Sequence, residues 1–213
     1  MADMSRRLVI LVTAVVAVVA VAALLIVPRV GGASAEGTDL RLEQQPRKGP
    51  ADAPVEVVVF EDFLCPHCGT FAESVAPRIE RTFVADGDVA YYMLNFVVIG
   101  PESERIAQVG ECVLEQDNDA YWAFETAAYR SQQGLDEARA IELALEYADG
   151  LDEERLRTCV AEDRQLEAVR ADGTTAQELG LRGTPSVLVD GEQVDPSFGA
   201  ISEAVETALS ETP

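Results

Sequence analysis

The apolar positions of this chain fall into two regimes, one unbroken block near the start and short periodic groups beyond residue 54. Leu8 to Val27 carries no charge and one polar side chain, Thr13. Twenty residues at 1.5 Å rise make about 30 Å, the thickness of a bilayer's hydrocarbon core. The block therefore predicts a transmembrane helix over 8–27. Arg6 and Arg7 precede it and the chain beyond Arg29 is acidic, so the positive-inside bias keeps 1–7 in the cytoplasm and the rest outside. The length favours a retained single-pass anchor in the cell membrane. Ala33-Ser34-Ala35 resembles a small-residue cleavage box, so cleavage after Ala35 and release is the alternative.

Residues 28–54 mix Gly, Glu, Gln, Arg and Pro without apolar periodicity, the pattern of a linker. The fold is expected to begin near Val55 and to occupy 55–213. Val55 to Phe60 is a β-branched, nearly continuous apolar run, as in a strand buried on both faces. Phe71, Val75, Ile79 and Phe83 then recur at fourfold spacing, predicting an amphipathic helix from Pro66 to about Val84 with a kink at Pro77. After the turn signal Asp86-Gly87-Asp88, Val89 to Ile99 reads as a second strand, completing a βαβ unit. From 101 to about 179 the spacing is helical and predicts three or four helices. Ser186 to Val189, the Asp190-Gly191 turn and Glu192 to Val194 predict a hairpin, and Phe198 to Leu209 a closing helix. The class is α/β with an inserted helical subdomain.

Charge narrows the partners. With 38 acidic against 16 basic side chains the formal net charge is −22, which repels nucleic acid. Four cysteines in an exported domain point instead to sulfur chemistry.

Cys65-Pro66-His67-Cys68 opens the first predicted helix, so the two sulfurs share one face within reach of a disulfide. Cys65 lies at the helix N-terminus, where unsatisfied N–H groups favour a thiolate, and Pro66 suits the first helical position because it needs no partner there. His67, the chain's only histidine, is placed to donate to or charge-stabilise that thiolate. These effects are expected to lower the Cys65 thiol from about 8.5 towards roughly 3.5–7.5. A stabilised thiolate leaves readily, so the disulfide form would oxidise other thiols. A static staple, or half of a zinc site completed by Cys112 and Cys159, are the rival readings. The rivals account less well for the Pro-His pair and for the wide spacing of the second two cysteines.

Residues 57–71, VVVFEDFLCPHCGTF, resemble the active-site strand and helix of the DsbA-like branch of the thioredoxin superfamily. Gly183-Thr184-Pro185 before a strand resembles its cis-proline loop. The resemblance runs from about Val55 to Leu209 and implies a thioredoxin fold with an inserted helical subdomain at about 101–179. It implies Cys65 as attacking and Cys68 as resolving cysteine, with Thr184 and Pro185 facing the substrate. It further implies oxidation of exported proteins carrying cysteine thiols, a quinone-linked membrane oxidase as recharging partner, and no bound cofactor or metal beyond the redox-active disulfide. Many thioredoxin-like proteins carry a buried acid six residues before the first cysteine, where Val59 stands here. Glu61 or Asp62 can substitute as proton acceptor for Cys68, Asp62 lying where a related subgroup has an aspartate; either can equally be a solvated loop charge.

Cys112 and Cys159 fall on separate predicted helices and are expected to form a structural disulfide. Two free buried thiols or a second redox pair are the alternatives. Tyr121, Trp122, Phe124 and Tyr129 read as packing within the insert and are assigned no chemistry. Two other functions remain open at this level: a reductase or isomerase using the same centre, and a holdase that binds unfolded exported chains without chemistry.

Overall fold

The computed structural model describes residues 37–211. The segments read as cytoplasmic N-terminus, 8–27 anchor and Ala35 cleavage box lie outside the described residues. Among those residues, no helix is long and apolar enough to cross a membrane.

Strand β1 (Arg47–Lys48) and strand β2 (Val55–Glu61) precede helix α1 (Pro66–Ser74), the short helix α2 (Ala76–Ile79), a π-helical turn (Glu80–Val84) and strand β3 (Val89–Asn95). Five helices follow: α3 (Pro101–Leu114), α4 (Asn118–Arg130), α5 (Glu137–Tyr147), α6 (Glu153–Ala161) and α7 (Leu166–Glu178). Strands β4 (Ser186–Val189) and β5 (Glu192–Val194) and helix α8 (Phe198–Glu211) close the domain. The sheet order is β1-β3-β2-β4-β5. β2 and β3 are parallel, Val55 beside Val89 through Glu61 beside Asn95, and the other pairs are antiparallel. A parallel neighbour on one side and an antiparallel one on the other put β2 at the centre.

That position explains its unbroken apolar run. Val55, Val57 and Val59 enter the larger core, which reaches into the helical insert, while Val58 and Phe60 enter a smaller core with Leu40, Leu179 and Leu181. Side chains alternate faces along a strand, so both parities must be apolar when both faces are covered.

Three expectations are corrected here. The described part of the 28–54 linker belongs to the fold: Leu40 is buried, β1 pairs with β3, and Arg41 and Gln45 both donate to the Asp172 carboxylate of α7. A two-residue strand and polar tethers carry no apolar period to read. The strand from Val89 stops at Asn95 because the Asp62 carboxylate takes the Val98 and Ile99 N–H groups (2.8 and 2.9 Å), bending those residues out of the sheet. The insert holds five helices rather than three or four. Asp117, Asp136 and Asp152 each cap a helix by accepting from the backbone three residues on, and such caps divide what periodicity alone merges.

The helix from Pro66 breaks at Val75, just before Pro77. Proline there has no N–H to give the carbonyl four residues back. Cys112 of α3 and Cys159 of α6 are joined with 5.9 Å between their Cα atoms, which removes both sulfurs from any zinc site with Cys65 and Cys68.

Candidate active site

The register of the sheet assembles the site. Phe60 of β2 stands beside Ser186 of β4, so the Thr184–Pro185 loop, one residue before β4, lies level with the segment that leaves β2 for α1. The Thr184–Pro185 bond is cis. Cys65 caps α1 with extended backbone, Pro66 is its first helical residue, and the Cys65 N–H bonds the Asp62 carbonyl at 2.9 Å. Both Cys65 and Cys68 are free thiols.

The two sulfurs differ. Cys65 lies at the surface end, its thiol donating to the Thr184 carbonyl at 3.3 Å between the exposed Pro66 and the proline loop. Cys68 is fully buried one turn in. Burial, and next the neighbouring Glu61, push the Cys68 thiol far above the ordinary thiol range; the Thr184 hydroxyl and the Asp62 backbone offset only part of this.

The two candidate acids are equally well separated. Asp62 is a loop clamp: its carboxylate accepts from the N–H groups of Leu64, Val98 and Ile99, which leaves it occupied. Glu61 is 2% exposed and its Oε1 has no hydrogen-bond partner. Burial, then Glu125, raise the Glu61 carboxyl well above the usual carboxylate range, while Tyr129 acts in the opposite sense. Glu61 shares the strand parity of Val59, so the acid missing at Val59 reappears on the same face one pleat nearer the cysteines.

His67 is exposed and faces a groove of about 350 Å³ with Phe71, Val75, Thr184, Pro185 and Pro196. Among the described residues no hydrogen bond joins its ring to either sulfur. The groove, apolar along Phe71 and Val75, lies between the proline loop and the α1 residues that follow Cys65.

Two contributors are invisible in the sequence pattern. Gln132, in the turn after α4, donates from Nε2 to the carbonyls of Phe63 and Cys65, each at 2.9 Å, fastening the insert to the cysteine loop. A Cβ on Gly69 would run into the Gln132 side-chain amide, so a larger residue there requires that amide to shift. Gln132→Ala removes both bonds and is expected to lower stability by about 1–3 kcal/mol, measured by urea unfolding. Gly69→Ala is expected to destabilise as well, by pushing the amide aside. Tyr129, read above as packing alone, also faces Glu61 while its ring stacks on Phe63 at 5.3 Å between centroids.

A dithiol at a helix N-terminus, one sulfur under a cis-proline loop and the other buried beside an acid, on a thioredoxin-type sheet, defines a protein thiol-disulfide oxidoreductase. The chain belongs to the thioredoxin family, whose profile, described as thioredoxin, matches residues 41–207. It is 34% identical over 166 residues, 76% of each chain, to the probable disulfide bond formation protein D of Bacillus anthracis. It is 27% identical over 174 residues to the disulfide bond formation protein D of Bacillus subtilis, covering 80% of this chain and 78% of that one. The crystal structure of oxidised BdbD from Bacillus subtilis superposes with a TM-score of 0.74 at 26% identity, covering 85% of this chain and 98% of that chain. Chlamydia trachomatis DsbA shares the fold at a TM-score of 0.71 and 21% identity, over 79% and 93% of the two chains. The chain is a DsbA-like thiol-disulfide oxidoreductase.

Proposed function

We propose that this oxidoreductase introduces disulfides into exported proteins through Cys65 and Cys68, working outside the cytoplasm from an anchor at residues 8–27. The observation that carries the reading is the inequality of the two sulfurs: one at a helix N-terminus beside a substrate groove, the other sealed next to an acid. The names of the relatives support the direction, and the apolar block with Arg6 and Arg7 before it supports the location.

In the oxidising direction a substrate thiolate attacks Cys65 Sγ of the Cys65–Cys68 disulfide and Cys68 leaves, taking a proton from Glu61. A second substrate thiolate then attacks the substrate's own sulfur in the mixed disulfide and releases Cys65 as a thiolate. Free N–H groups at the start of α1 face that thiolate, which favours the reduced form of the enzyme and hence oxidation of substrate. The exposed His67 adds donor capacity on the groove side, and the Thr184 backbone beside Pro185 pairs with the extended substrate. Glu61, rather than Asp62, is the proton acceptor when Cys68 must ionise again. The two sulfurs carry the electrons, so no bound cofactor is required, and a quinone-linked membrane oxidase would return the pair to the disulfide.

The reduction potential against glutathione tests the direction. An oxidase is expected to lie well above the roughly −270 mV of thioredoxin, towards the roughly −120 mV of DsbA, with 30 mV equal to about 1.4 kcal/mol. A value near thioredoxin's overturns the oxidising direction.

A further inference from the structure

A second cleft of about 350 Å³, which shares no lining residue with the groove at His67, opens between α1, α2, β3 and α4. Its rim is exposed at Glu73 and Arg130, whereas Tyr91, Glu125 and Tyr129 in its wall are buried. Glu125 and Tyr129 are one turn apart on α4 and so lie on one face. The Tyr129 hydroxyl faces Glu61 and lowers its carboxyl, yet neither the hydroxyl nor Glu61 Oε1 closes a hydrogen bond within the protein. Two buried polar atoms left open beside a polar cleft are the usual signature of water or of a group poised to move a proton.

We propose that Tyr129 and Glu125 form the exit through which the proton that Glu61 takes from Cys68 reaches solvent by way of this cleft. The inference rests on Glu61 being the acceptor. When Cys68 resolves a mixed disulfide, its thiol gives its proton to the Glu61 carboxylate, and the thiolate attacks Cys65 Sγ. The Cys65–partner S–S bond breaks, the partner leaves as a thiolate, and the Cys65–Cys68 bond forms. Glu61 then passes its proton to the Tyr129 oxygen as Tyr129 releases its own to Glu125 or cleft water, so Tyr129 stays neutral and Glu61 is ready again.

The surroundings fit two-way traffic. Burial holds Glu125 at about 7, with Lys48 lowering it first and Glu80 opposing. Lys48, the chain's sole lysine, bridges to Glu80 at 2.6 Å and sits 4.2 Å from the centroid of the Trp122 ring. The groups facing Glu61 are Cys65 and Cys68 from the motif, Tyr121, Glu125 and Tyr129 from α4, Tyr91 from β3 and Lys48 from β1. Arg130 adds a lowering influence on Glu125.

The test follows the full chain after reaction of its reduced form with 5,5′-dithiobis(2-nitrobenzoate), reading the second release of nitrothiobenzoate, which reports resolution by Cys68, across pH. Glu61→Gln is expected to slow that phase by roughly 100-fold or more. Tyr129→Phe and Glu125→Gln are each expected to slow it by about tenfold, with opposite displacements of its pH midpoint. Losing the Tyr129 donor raises Glu61 and moves the midpoint up; losing the Glu125 charge moves it down. Added imidazole is expected to restore the Glu125→Gln rate, which a packing defect would not allow. In the Glu61→Gln background neither change should slow the phase further. Wild-type rates and midpoints in Tyr129→Phe and Glu125→Gln, with Glu61→Gln slow, overturn the exit and leave Glu61 as acceptor. A wild-type rate in Glu61→Gln removes the acceptor and the exit together.

Discussion

Replacing Cys68 with serine is expected to leave a protein that captures a disulfide-bearing partner once and stops. Cys65 remains at the start of α1 with its sulfur toward the Thr184 carbonyl, so exchange with a disulfide-bearing partner still forms the mixed disulfide. The only nearby thiol able to release it from within is gone. Non-reducing gels should show the covalent adduct accumulate, and turnover of a reduced test protein should fall to the uncatalysed rate. Cys65→Ser is expected to abolish turnover without any adduct, because the buried Cys68 has neither access nor an accessible thiolate: burial and Glu61 hold it protonated far above neutral pH. The pair of results also separates chemistry from chaperoning. A holdase would retain full activity in Cys65→Ser, and that outcome would sink the exchange mechanism.

Removing the Cys112–Cys159 disulfide is expected to have the largest effect on stability. The bridge spans 47 residues and ties the end of α3 to α6. For a loop of that size the chain-entropy estimate is about 4 kcal/mol, with measured losses for native bridges about 2–5 kcal/mol. Changing both cysteines to alanine keeps the buried site apolar, and the loss should appear as a lower urea midpoint. Exchange through Cys65 and Cys68 should persist below the unfolding transition. Cys112 and Cys159 are both buried, out of reach of a partner thiolate, which supports a structural bond. If mild reductant opened this bridge in the native protein together with the first pair, it would instead be part of the electron path.

Glu61 and Asp62 show how far a sequence pattern reaches. Adjacent residues in an extended segment point to opposite faces, so one of the two had to share the face of Val57 and Val59. The parity is legible: Glu61 continues that series. Which face carries α1 and the cysteines is a property of the crossover and of the helices packed above it, and no local signal states it. Asp62 likewise reads as a loop charge until the chain returns from β3 and presents the N–H groups of Val98 and Ile99 to it. Gln132 lies 67 positions from Cys65 and meets it only because the turn after α4 descends onto the cysteine loop.

The sequence by itself determined the β2, β3 and β4–β5 elements and the helix that opens on Cys65, since these rest on local period, turn chemistry and backbone restriction. The pairing of motif with proline loop was implied only by the family resemblance, and the β2–β4 register brings the two together. The tertiary structure decided the rest. It recruited residues 40–48 into the domain by pairing two residues of β1 and burying Leu40. It divided the insert into five helices through single capping aspartates. It made Cys68 and Glu61 chemically unlike Cys65 and Asp62, whose polar atoms find partners at the Thr184 carbonyl and at the Leu64, Val98 and Ile99 N–H groups, because desolvation and pairing appear only when those elements meet.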